Sequence, residues 1–324
     1  MEESITLLDE KYSSYINKIL KPSKSPKITA LDLFAGCGGL ALGFESAGFK
    51  TVGMEYDESC CETYNNNLQG ECITETITSK TTFPEADVII GGPPCQPFSV
   101  VGKQLGNSDK RNGVPEFIRA IKEIKPRIWM FENVRGLLYR NKDYFESCLS
   151  EFRKLGYDIE WKLLNCVDYQ VPQNRERVIV VGYHDRFEFP KAFDKKITAG
   201  EALEEMVYEI PPDSKFLTPS MDRYVANYEK KSKMINPRDL HLNMPARTIT
   251  CRNIAGSTSD MHRIKLPDGR RRRIRDKEAA RLQSFPDWFK FYGNQTSRFN
   301  QIGNAVPPLF ARAIASQFKK YLDN

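Results

Sequence analysis

Ile28-Thr29-Ala30-Leu31-Asp32-Leu33-Phe34-Ala35-Gly36-Cys37-Gly38-Gly39 runs from an apolar, strand-like stretch into a glycine-rich turn. The segment that follows, Gly39–Ala47, has the pattern of a helix. Strand, glycine turn and helix in that order open a doubly wound α/β sheet. Working outward, Thr51–Glu55 is again strand-like and Glu58–Leu68 suits a helix. Val88–Ile90, Ile128–Phe131 and Val178–Gly182 are short β-rich runs, with helical stretches near Glu116–Ile124 and Tyr144–Leu155. The alternation across 28–182 predicts an α/β fold, a Rossmann-like parallel sheet with helices on both faces. After Tyr183 the rhythm stops. Residues 184–270 are richer in proline, polar residues and short β-prone pieces, which predicts a smaller, mostly β second domain. Helical periodicity returns at Asp276–Gln283 and Pro308–Tyr321.

The glycine turn is the natural seat of a nucleotide. Gly36, Gly38 and Ala41 satisfy G-x-G-x-x-G/A, and Glu55, 19 residues after Gly36, ends the second strand. Glycines there admit a ligand close to a helix N-terminus, and an acid at that place binds ribose hydroxyls. On these residues alone, a dinucleotide-binding dehydrogenase and an S-adenosylmethionine (AdoMet) enzyme fit equally, and a plain tight turn also remains open.

A second stretch carries chemistry. Gly91-Gly92-Pro93-Pro94-Cys95-Gln96-Pro97-Phe98-Ser99 follows the apolar run Asp87-Val88-Ile89-Ile90. Two prolines stiffen the turn. It presents one thiol at a strand's C-terminal end, where such sheets place their chemistry. A buried structural cysteine is the bland alternative.

Composition sets bounds. The chain has 324 residues, 40% hydrophobic and 28% charged, enough for a substantial core. No apolar run approaches the roughly 18 residues of a membrane span. Met1-Glu2-Glu3-Ser4 lacks the layout of a signal peptide. The eight cysteines show no C-x-x-C spacing, which predicts reduced thiols in a cytoplasm, no disulfide framework and no metal site. The net charge is +6, and Arg263–Lys277 alone, with eight Lys/Arg against two Asp, holds an equal excess. Such a stripe predicts a polyanion contact or, as readily, a solvated face. Residues 1–25 are amphipathic and Lys-rich, and suggest no role.

Six motifs in order resemble those of the C5-cytosine-specific DNA methyltransferases of the prokaryotic modification type. They are Asp32–Gly39, Gly92-Pro93-Pro94-Cys95-Gln96, Glu132-Asn133-Val134 and Gln173-Asn174-Arg175-Glu176-Arg177. The last two are Arg272–Pro286, which contains Glu278-Ala279-Ala280-Arg281-Leu282-Gln283, and Gln301-Ile302-Gly303-Asn304-Ala305-Val306. The resemblance implies AdoMet as cofactor, without a metal. Phe34, Gly36, Gly39, Glu55, Tyr56, Pro94, Asn304 and Val306 would form its pocket. It implies Cys95 as the nucleophile on C6 of a flipped-out cytosine, Glu132 as the acid at N3 and the exocyclic amine, Arg177 at O2, and Arg175 as a support. Because Asn304 and Val306 complete the pocket, the catalytic domain is expected to be discontinuous, 1–183 and 287–324, with 184–286 as the target-recognition domain.

One departure stands out. Where many relatives carry an acid that contacts adenine, Gly70-Glu71-Cys72-Ile73 places Cys72, with Glu71 adjacent. On the nucleic-acid side the partner implied is double-stranded DNA, with Gln96, Ser99, Arg247, Thr250, Arg252, Asn253, Arg271 and Arg272 as candidate contacts. Segment 99–113 would be a closing loop. The expected protein is a cytoplasmic, nucleoid-associated monomer with no membrane role, and a cognate restriction endonuclease would act separately. Two other functions compete: a tRNA cytosine-C5 methyltransferase of the same fold, and a DNA-binding regulator without catalysis.

Overall fold

A computed structural model of the chain describes residues 10–23, 26–94, 112–139, 141–233, 238–256 and 260–323. A first helix, α1 (Tyr12–Ile19), precedes the sheet. Then come β1 (Ile28–Leu33), α2 (Gly39–Ser46), β2 (Phe49–Glu55), α3 (Glu58–Asn67), β3 (Glu71–Thr74), β4 (Val88–Gly91), α4 (Val114–Ile124), β5 (Ile128–Val134), α5 (Lys142–Arg153), β6 (Asp158–Asn165) and β7 (Glu176–Tyr183). The strands form one sheet in the order β3-β2-β1-β4-β5-β7-β6. β1 to β5 are mutually parallel, and β7 is antiparallel to both β5 and β6. A parallel sheet covered on both faces wants continuous apolar strands. Val88–Gly91 is buried at every residue, and β5 at every residue but its last.

Alternation along the strands splits the core in two. Ala30, Val88, Ile90, Ile128, Met130, Ile179 and Val181 pack with α1, α2 and the last helix of the chain. Leu31, Leu33, Ile89, Trp129, Phe131, Val178 and Val180 pack with α4 and α5. With a period of two, Glu132 shares the first of these faces with Met130, and Arg177 shares it with Ile179.

The chain continues with α6 (Ala199–Leu203), α7 (Pro219–Lys231), α8 (Cys251–Ala255), β8 (Arg263–Lys265), β9 (Arg271–Arg273), α9 (Asp276–Leu282), α10 (Gln295–Asn304) and α11 (Pro308–Asp323). α11 returns to α2. A Cβ on Gly43 would lie 2.4 Å from Ala311 Cβ, so glycine opposite alanine lets the two helices touch. The first and last parts of the chain therefore share one core.

The expectation of a mostly β second domain is corrected. Among the described residues of 184–286, the only strands are the three-residue β8 and β9, and α6 to α9 supply the helices. The β-prone pieces are irregular segments tied by isolated bridges, such as Phe216↔Arg272 and Asp239↔Arg263. Nor does packing change at residue 184, because Phe187, Ile197, Leu203, Ile249, Ala279 and Leu282 belong to the core cluster of α2 and α11. A separate small cluster joins Leu217, Val225 and Met261.

Helix α1 gives residues 1–25 a described role in part. Tyr12 and Tyr15 hydroxyls donate to Gln170 O and Oε1, and Ser13 donates to Glu204. Asn17 Nδ2 donates to Asp287. The helix therefore braces three distant parts of the chain against one another.

Candidate active site

The glycine turn sits where β1 ends. Gly36 (φ 54) and Gly38 (φ 86) occupy the left-handed region that glycine adopts without strain. A Cβ on Gly36 would meet no atom within 4 Å, so the space in front of the turn is open. Glu55, at the end of β2, closes the other side. Its Oε2 accepts from Gly36 N–H (2.9 Å), and its Oε1 accepts from Tyr56 N–H (3.0 Å) and Asp57 N–H (3.1 Å). Burial raises its pKa and these three donors pull the other way. Tyr56, 69% exposed, leaves its ring free for a ligand.

The remaining expected cofactor residues gather at the same edge. A Cβ on Gly39 would lie 2.5 Å from Val306 O, which brings the chain's last motif against the turn. Phe34 and Pro94 both crowd Gly113, whose N–H donates to Pro94 O (3.0 Å). Asn304 is the exposed last residue of α10. Asp32, at the end of β1, is 1% exposed, and neither carboxyl oxygen has a hydrogen-bond partner. Burial, and then Glu55, raises its pKa well above the ordinary range. An orphaned carboxyl, a fixed acid and an open glycine turn suit a small cationic nucleoside such as AdoMet. Cys72 faces inward, with its Sγ 3.4 Å from Cys61 Sγ, among Ala35, Ala41 and Tyr64. Glu71 points to solvent.

The reacting end lies two strands away. Glu132 Oε1 pairs with Arg177 Nε at 2.8 Å, each side chain 11% exposed. A Cβ on Gly92 would lie 3.0 Å from Glu132 Oε2, so the carboxylate rests on the backbone that leads to Pro94. Asn133 Nδ2 donates to Pro93 O (3.1 Å) and ties the strand end to that turn. Cys95, Gln96, Ser99 and nearly all of the expected closing loop lie outside the described residues.

Arg175, grouped by sequence with the catalytic residues, is 1% exposed and holds three carbonyls. Its guanidinium donates to Ile249 O (2.7 Å), Gly303 O (3.3 Å) and Ala305 O (2.8 Å). Burial lowers its pKa to about 9. It ties together Ile249, Gly303 and Ala305 from separate parts of the chain, while its buried Nε has no hydrogen-bond partner.

A cleft of about 690 Å³ opens beside Arg177, lined also by Val134, Asn174, Asp239, His241, Arg247 and His262. The candidate DNA contacts divide here. Arg252 is exposed. Arg247 lines the cleft and donates to Asp260. Thr250 is the N-cap of α8, accepting from Asn253 N–H, while Asn253, 4% exposed, donates to Thr248 O (2.8 Å). For Thr250 and Asn253 the loop's own backbone takes the polar atoms.

The basic stripe is largely spent within the protein. Arg271 binds Asp239 and Asp222. Arg263 binds Glu229 and Asp239. Arg270 binds Asp268. Arg272 as a DNA contact is corrected: its side chain is 0% exposed and forks onto Glu278, also 0% exposed, at 2.7 and 2.9 Å. A phosphate cannot reach it.

Asp32 entered the sequence analysis only within the glycine-turn stretch, as the first residue of the Asp32–Gly39 motif, without a role of its own, and His262 did not enter it. His262 gave no signal. It is 1% exposed, its ring nitrogens lack hydrogen-bond partners, and burial beside Arg247 pushes its pKa down to about 3, so it lines the cleft uncharged.

The family model for C-5 cytosine-specific DNA methylases matches residues 28–320. The Type II methyltransferase M.AplI of Arthrospira platensis is 51% identical over 318 residues, covering 97% of this chain and 92% of that protein. M.FnuDI of Fusobacterium nucleatum is 35% identical and covers 90% and 94%. The Entamoeba histolytica methyltransferase EhMeth superposes with a TM-score of 0.69 at 17% identity, covering 92% of this chain and 98% of that one. Spodoptera frugiperda DNMT2 superposes at 0.67 and 18%, covering 92% and 100%, and both show the shared fold. With a match that spans the sheet, the Glu132–Arg177 pair and the cleft, the chain belongs to the C-5 cytosine-specific DNA methylases and is a DNA (cytosine-5-)-methyltransferase.

Proposed function

We propose that this enzyme methylates C5 of a cytosine flipped out of a specific duplex DNA sequence, with AdoMet as donor and Cys95 as covalent nucleophile. The observation that carries the reading is the Glu132–Arg177 pair, held at 2.8 Å beside Gly92 and the turn to Cys95, with Arg177 in the wall of the cleft. Cytosine C5 is a poor nucleophile. Addition of the Cys95 thiolate to C6 makes C5 electron-rich, and splits one hard step into easier ones. Glu132, aimed at the pyrimidine's N3 and exocyclic amine, supplies the proton that addition requires. Arg177 both steadies Glu132 and presents donors to the base O2. AdoMet, when bound, supplies the electrophilic methyl. The C5 proton then passes to water, the C6–S bond breaks to free Cys95 as thiolate, and N3 returns its proton to Glu132.

Gly36, Glu55, Tyr56 and Val306 would hold the donor on the sheet edge next to Pro94. Flipping costs about a few kcal/mol, which contacts in the cleft must offset. The relatives are named Type II methyltransferases, which supports a modification role beside a separate restriction endonuclease.

The test is transfer of labelled methyl to plasmid DNA against tRNA, with trapping on DNA that contains 5-fluorocytosine. A stable adduct on the DNA is expected. Transfer to tRNA alone, or no adduct with either, would reject the proposal. Glu132→Gln should lower the single-turnover rate at least about 100-fold. A near-normal rate would remove Glu132 from proton transfer.

A further inference from the structure

Helix α7 turns its acids inward. Asp222 accepts from Arg271 Nη1 (3.0 Å) and Glu229 from Arg263 Nη2 (2.7 Å), with Val225, 1% exposed, between them. These three, spaced i, i+3 and i+7, form the face that lies on the β8–β9 ribbon. The opposite face keeps Arg223, Tyr224, Asn227, Tyr228, Lys230 and Lys231, all exposed. Its three cations make no ion pair among the described residues. Tyr224 and Tyr228 stack one turn apart, ring centroids 6.5 Å. While Arg263, Arg270, Arg271, Arg272 and Arg275 are paired with carboxylates, the cations on the outer face of α7 are not, among the described residues.

The helix also ends in the right place. Glu229 Oε1 accepts from Arg238 N–H (3.3 Å). The next residue, Asp239, binds Arg263 and Arg271 and lines the cleft with Leu240 and His241. The last turn of α7, with Lys230 and Lys231, therefore adjoins the cleft rim. From Arg223 to Lys231 the helix runs about 12 Å, the axial length of three to four base pairs.

We propose that the outer face of α7 is a DNA-backbone contact surface, which grips the phosphates of duplex flanking the target, outside the cleft. This rests on the DNA methyltransferase reading above. Long cationic side chains, an amide and phenolic hydroxyls are phosphate donors, and such contacts position the duplex without reading it. The surface extends the footprint beyond the bases the cleft recognises.

The test compares the full-length enzyme with Arg223→Gln/Lys230→Gln/Lys231→Gln on two duplexes that carry one target site found by bisulfite sequencing. One duplex is trimmed to end at the cleft rim, about one helical turn or less, and the other is about four turns long. On the long duplex the triple variant should show a KM raised several-fold, an unchanged kcat and a salt slope shallower by about three. On the short duplex it should match wild type, and its melting temperature should be unchanged. Wild-type KM and slope on the long duplex would overturn the proposal, as would an equal loss on both lengths, which would place the defect in the cleft. Either result leaves DNA methylation standing. Failure of the parent reading looks different, because the wild-type enzyme then methylates neither duplex.

Discussion

Cys95→Ser is expected to abolish methyl transfer and leave donor binding intact. The nucleophile must be an anion soft enough to add to C6, and a serine hydroxyl at neutral pH is neither ionised nor soft. Loss of a covalent nucleophile typically costs about 10⁴-fold or more. The pocket assigned to the donor stands on other elements. Gly36 and Glu55 are fixed to each other at 2.9 Å across β1 and β2, and Val306 reaches the turn from the far side. Calorimetric titration with AdoMet should therefore give the wild-type affinity while labelled-methyl incorporation falls to background. Retained turnover would overturn Cys95 as the nucleophile. Lost binding with lost turnover would move Cys95 into the donor pocket.

The second large effect is on stability. Arg272 and Glu278 form a two-pronged pair with both side chains fully buried, and Arg272 also donates to Met206 O (2.8 Å). Arg275 shares Glu278, through its backbone N–H (2.8 Å) and its guanidinium (3.2 Å). Removing one partner of a buried pair costs about 3–5 kcal/mol, and because Arg275 stays on Glu278 the loss of Arg272 falls at the lower end of that range. For a chain of this length that lowers the melting temperature by about 5 °C or more. Arg272→Met should do this, and Arg272→Met/Glu278→Leu should recover much of it, since a matched apolar pair avoids the buried charge. Arg270→Gln, at a site 55% exposed, should stay near wild type. If Arg272→Met instead melted normally and flattened the salt dependence of DNA binding, Arg272 would be a phosphate contact.

That arginine shows what the sequence could and could not disclose. A run of like charge reads as a patch because its partners are not in view. Asp222 and Asp239 lie 49 and 32 residues before Arg271, and only the fold brings them together. Helix α7 escaped notice for the same reason, since Asp222 and Glu229 occupy the inward face that apolar periodicity would mark. The edge strands β3 and β6 were missed because they bury little on either face. The central elements were legible. Val88–Ile90 and Ile128–Phe131 are uninterrupted apolar runs with no other use than a covered parallel sheet, and the glycine turn fixes where α2 starts. The motifs selected Glu132 and Arg177, but their pairing needed register. β5 and β7 run antiparallel, with Glu132 opposite Ile179 and Val134 opposite Arg177, so a two-residue diagonal brings acid to base.

The contact of α11 with α2 has a consequence for synthesis. Gly36 leaves the ribosome 270 residues before Val306, roughly 15 to 50 seconds earlier at ordinary elongation rates. During that interval the apolar side of α2 waits for Ala311 and its neighbours, and the glycine turn has no far wall. A chain that has not yet made α11 exposes an apolar seam on α2, so chaperone demand should persist until α11 emerges.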